Sequence, residues 1–200
     1  MLDFWQSHLT FALLAFLALP ALGKPSRLQY IALPVLLAVS FIPVGELPLA
    51  AYLRSFTDDL AITTLLALIF ATMVRLGIAT RLNARSRWQL LLLFAAMALF
   101  LYPATLGLTY FDPYRIGYAP RPMLVVIGVL ALALLVVRNW LGAAMLGLAT
   151  LAFSFSLKLS DNYWDYLLDP AISLYCLGAI CQAGIRASLA RRKRQLPARA

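Results

Sequence analysis

Long apolar runs separated by short polar segments dominate this chain. Seven of them reach or approach the roughly 17–25 residues that a membrane-crossing helix takes. They cover about 4–22, 28–44, 59–76, 89–107, 122–137, 140–158 and 170–187. Each is continuously apolar rather than alternating, which predicts helices and not barrel strands. The fifth run meets the sixth across only "RNW", so that pair is expected to form a tight hairpin. Between the second and third runs, "LPLAAYLRSF" sets Leu49, Tyr52, Leu53 and Phe56 at helical spacing, predicting a short helix in the membrane interface. Pro34 and Pro103 are expected to bend the second and fourth helices. Ala143 and Gly147 offer a small-xxx-small contact.

Composition sharpens this reading. Of 200 residues, 63% are hydrophobic and 12% charged, against about 45–50% and about 25% in a soluble domain. The fold class expected is all-α: a polytopic membrane bundle of about seven helices, with one domain over 1–187 and a basic tail over 188–200. The first run has "ALG" before Lys24, like a cleavage site, but a signal peptide needs a positive n-region. "MLDFWQSH" has none, so a retained helix with its N-terminus outside is expected. On that topology the inner segments hold thirteen of the seventeen basic residues, which puts the C-terminus in the cytoplasm. A multi-pass protein of a bacterial-type inner membrane follows. The formal charge of +9 is then a topology signal, with membrane lipids as partners and no nucleic acid.

All eight acids fall on the outer side: Asp3, Glu46, Asp58, Asp59, Asp112, Asp161, Asp165 and Asp169. Several read as helix caps. Ser55 and Asp58 have capping-box spacing at the third run, with Asp58 and Asp59 at the positive end of its dipole. Asp112-Pro113 and Asp169-Pro170 are cap-plus-proline pairs. Pro170 breaks the stretch "SDNYWDYLLDP", predicting a short helix over about 162–168 capped by Asp161, then the seventh span. That leaves Asp165 without a structural task. It is expected either to turn toward the bundle and pair with Lys158, Arg54, Arg115 or a bound ligand, or to point into water. "DLAIT" at 59–63 and "DPAIS" at 169–173 echo one another, which suits a repeat-built transporter or two independent caps.

The midplanes hold no acid, Lys or Arg, where an ion path would show one. His8, the one histidine, lies in the outer part of the first run. It reads as an interfacial hydrogen-bonding group or as a proton acceptor beside the outer acids. Cys176 and Cys181 lie five residues apart on one helix, face different ways and read as packing residues. There is no P-loop, HExxH, GxSxG or zinc spacing; no metal and no cofactor are expected. Candidate ligand- or partner-binding residues are Asp165, Asn162, His8, Asp58, Asp59 and Arg115. The function expected is a non-catalytic subunit or membrane-protein partner of an envelope assembly. A small-solute or lipid transporter is the alternative, and an outer-surface enzyme on a lipid-linked phosphate or sugar the second.

Overall fold

The computed structural model describes residues 5–20 and 27–195, without the side chains of 27 and 192–195. Asp3, the "ALG" stretch with Lys24, and the last five residues of the tail lie outside the described residues. The chain is mostly helical: α1 (Trp5–Ala18), α2 (Arg27–Val39), α3 (Leu49–Thr57), α4 (Ile62–Arg75), α5 (Ala84–Thr105), α6 (Arg121–Val136), α7 (Trp140–Ser154), α8 (Trp164–Leu167) and α9 (Pro170–Gln195). A 3-10 helix covers Pro113–Tyr118. Two-residue strands, β1 (Pro43–Val44) and β2 (Leu47–Pro48), pair antiparallel ahead of α3. The stretch between the second and third runs is thus a hairpin followed by the expected amphipathic helix.

A helix forms within each apolar run, but most are shorter than the runs. Among the described residues, two are long and apolar enough to cross a membrane, Ala84–Thr105 and Pro170–Arg191. The others have 13 to 16 residues; at about 1.5 Å per residue that is roughly 20–24 Å, against about 30 Å of hydrocarbon. The stops have local causes. Residues after Val39 turn into the hairpin, where Gly45 takes φ +67°. Asp58 closes α3 with φ +54°, a conformation costly for a side-chain-bearing residue, so α4 starts at Ile62 and not at 59. Ser156, at φ +50°, follows the end of α7, and Arg138, at φ +61°, makes the tight α6–α7 turn.

Several local expectations are corrected here. Ser55 lies inside α3 and donates to the Tyr52 carbonyl, so no capping box forms with Asp58. The close approach in α7 occurs at Gly142, where an added Cβ would come 2.7 Å from Leu90 Cδ2; one at Gly147 would meet open space. Cys176 is buried and Cys181 exposed, both as free thiols.

The main apolar core is built by α5, α6, α7, α8 and α9, with Ile62 its one fully buried member from α1–α4. Side-chain bonds sort the helix ends into two groups. At one end, Gln6 donates to Leu60, Asn162 to Tyr114, and Ala61 to Asp169. At the other, Arg75 donates to the carbonyls of Phe16, Leu17 and Pro20, Tyr30 to Leu76, and Asn139 to Ser86. The helices therefore alternate in direction along the chain, with Asp58, Asp59, Asp165 and Asp169 at the first end.

Candidate functional site

The acidic end holds a cleft of about 570 Å³. The last turn of α3 supplies Arg54, the α3–α4 turn supplies Asp58 and Asp59, the end of α5 supplies Tyr102, the 3-10 helix supplies Tyr114, and 158–170 supplies Lys158, Asp165 and Asp169. Of the residues singled out by sequence, Asp58, Asp59 and Asp165 meet here. His8, Asn162 and Arg115 are not among the lining residues.

Asp169 is fixed by its local sequence. Its Oδ1 accepts from the Ile172 amide at 2.9 Å, the N-cap expected of Asp-Pro. Its Oδ2 accepts from the Ala61 amide at 2.8 Å, so one buried carboxylate closes the starts of α9 and α4 together. Beside it, the Thr63 hydroxyl donates to the Leu167 carbonyl at 2.8 Å. The two echoing segments, 59–63 and 169–173, therefore touch.

Asp165 does face inward, but its partners are not basic. Tyr114 Oη donates to both carboxylate oxygens at 3.0–3.1 Å, and Ser160 Oγ to Oδ2 at 2.5 Å. Lys158 instead donates to three backbone carbonyls: Asp59 at 2.8 Å, Leu60 at 3.1 Å and Asp165 at 2.8 Å. All three of its N–H groups are spent on tying the α3–α4 turn to α8. Arg54 pairs with Asp59 at 2.7 Å, and Arg115 is exposed. Burial pushes the Lys158 ammonium below the usual lysine value, against the pull of Asp165, Asp59, Asp169 and Asp58. Burial and the Asp165 charge push the Tyr114 phenol up.

Asn162 is structural. It is fully buried, its amide donates to the Tyr114 carbonyl at 3.0 Å, and its Oδ1 accepts from the Trp164 amide at 2.9 Å. Asp161, expected to cap this helix, is exposed; α8 instead follows Tyr163, which makes no side-chain cap bond, and is shortened to four residues. Asp112 caps as expected, accepting from Tyr114 at 3.0 Å, but at the start of the 3-10 helix. His8 lies apart from the acids. Its Nδ1 is 2.9 Å from Ser40 Oγ and its ring stacks on Phe41. Because the Ser40 hydroxyl donates to Leu37, Nδ1 is the donor toward Ser40.

No family model, curated protein or solved structure matches this chain. Its site is therefore read from its own residues. Sequence reasoning missed Tyr102 and Tyr114 as walls of the cleft, and the second bond of Asp169. Among the described residues, no three His, Cys, Asp or Glu side chains are grouped as a metal centre requires.

Proposed function

We propose that this chain is a multi-pass membrane protein acting as a non-catalytic component of a membrane assembly, with the acidic end outside and the C-terminus in the cytoplasm. The observation that carries the reading is how three of the cleft's charged groups, Lys158, Asp165 and Asp169, are used. Lys158 spends its three donors, Asp169 both oxygens and Asp165 both oxygens on bonds within the protein. A general base or nucleophile must instead reach a substrate proton or carbon. The enzyme reading loses further support because His8 bonds Ser40 and not a carboxylate.

Around the cleft, Phe56, Leu106, Leu108, Tyr110, Phe111 and Leu159 are exposed by 60% or more. Apolar and aromatic side chains around a polar recess suit an interface with lipid headgroups or a partner helix. The five shorter helices are read as spans completed by their flanking residues and by local thinning of the bilayer. A transporter is the second reading, favoured by the open 570 Å³ recess.

Photo-crosslinking in native membranes tests the first reading. A benzophenone side chain at Tyr110 or Leu159 should give one adduct of fixed mass with a membrane protein, and none from Val129. Lipid adducts alone at all three positions, with the purified chain moving a solute in proteoliposomes, would replace it with the transporter.

A further inference from the structure

Among the described residues, six buried side-chain polar atoms have no partner within the protein: Ser7 Oγ, Gln29 Oε1, Asp59 Oδ1, Thr64 Oγ1, Thr72 Oγ1 and Arg75 Nε. All six lie between residues 7 and 75, in α1, α2, α4 and the turn before α4. The other half of the fold shows no such group among the described residues, and it contains the dry apolar core. There the buried polar residues sit at the helix ends, Ser86 and Asn139 at one and Asn162, Asp169 and Ser173 at the other.

The unpartnered groups are ordered along the bundle. Gln6 to Leu60 fixes the acidic end of α1 against α4, and Arg75 to Phe16 fixes the opposite end. Arg75 reaches α1, so the α4 face it belongs to is the one α1 covers. Thr64 stands eleven residues earlier and Thr72 three, both on that face at 3.6 residues per turn. Ser7, Asp59 and Thr64 belong to the acidic end, Thr72, Arg75 and Gln29 to the other; eight residues, about 12 Å of helix, separate Thr64 from Thr72, and α1 and α4 bury Ala12, Leu13 and Leu65 there. Ser7, Gln29, Thr64 and Thr72 are only 3–6% exposed.

Helical Ser and Thr can satisfy themselves on the carbonyl four residues back. This chain does so at Thr150, Ser154 and Ser173. Thr64 and Thr72 do not. A buried hydroxyl with no partner loses about 1–3 kcal/mol, and buried polar groups in native proteins are satisfied by protein or by ordered water. We propose that the seam between α1, α2 and α4 holds bound water at both of its ends, one group of sites beside Ser7, Asp59 and Thr64 and the other beside Thr72, Arg75 and Gln29. The half built on α5–α9 is the dry scaffold. This inference rests on the membrane placement proposed above.

Accessible-cysteine labelling tests it, in a Cys176→Ala, Cys181→Ser background reconstituted into liposomes. The probe is 2-aminoethyl methanethiosulfonate, which reacts with a thiolate and so needs a hydrated site. Thr64→Cys and Thr72→Cys should react at least about 10-fold faster than Leu92→Cys or Val129→Cys, which face outward from the bundle. Thr72→Val should lower the Tm, because the water-bonded hydroxyl is lost. A raised Tm, the sign of a dry unpaired hydroxyl removed, would overturn the seam. So would an unreactive Thr72→Cys in a chain that resists alkaline carbonate extraction. Release of the chain by carbonate would instead overturn the membrane placement, and the seam with it.

Discussion

Asp112 and Asp169 both precede proline, yet Asp112 uses one carboxylate oxygen and Asp169 uses two. Asparagine keeps a single side-chain acceptor. Asp112→Asn should therefore leave the unfolding free energy almost unchanged, while Asp112→Ala costs about 0.5–2 kcal/mol. Asp169→Asn should cost about 1–3 kcal/mol, because the Ala61 or the Ile172 amide is left buried without an acceptor. Chemical denaturation in detergent measures both pairs, and equal costs for the two Asn variants would contradict the double bond at Asp169. The caps were legible in the sequence because a cap is a local event, settled within three residues. The bond from Asp169 to Ala61 spans 108 residues and that from Tyr114 to Asp165 spans 51. No local pattern announces either, which is why a basic partner was expected for Asp165 and hydroxyls were found.

The 3-10 helix and the 160–168 segment act as one element. Tyr163 donates to Gly117 at 3.1 Å, Asn162 to Tyr114 at 3.0 Å, and the Trp164 indole to Pro113 at 2.9 Å. Gly117 permits that approach, since a Cβ there would lie 2.7 Å from Asn162 Cγ and 2.9 Å from Trp164 Cδ1. Gly117→Ala should cost about 1–3 kcal/mol through forced displacement. A thermal melt would show it, and an unchanged Tm would mean that the two segments are not packed as described. At this scale the sequence placed α3 and the Pro170 break correctly, because amphipathic spacing and proline act on their own neighbours. It overextended α4 toward 59 and α7 toward 158. Apolar composition continues through those residues, whereas the positive φ of Asp58 and Ser156 ends the helices.

On the scale of the whole molecule, the alternation of basic and acidic segments predicts sidedness. Cysteines at Tyr118 and Asp161, both exposed, should react with an impermeant thiol reagent added to intact cells, and one at Arg85 should not. Reaction at 85 would reverse the topology. Asn162, a candidate binding residue from sequence, is fully buried and unsuited to such labelling. The helical class and the gathering of acids at one end could be read from apolar runs and charge placement. Helix length was set by the turns at Gly45, Asp58, Arg138 and Ser156, and which half is dry by which side chains face one another. The link between Asp169 and Ala61 also has a consequence for biogenesis. The ribosome releases residue 61 long before residue 169, so the opening of α4 waits through most of synthesis for its acceptor. Until α9 arrives, the N-terminal helices are held without their final latch. A chain truncated in α7 should therefore be recognised and degraded as unfinished, even with α1–α6 complete.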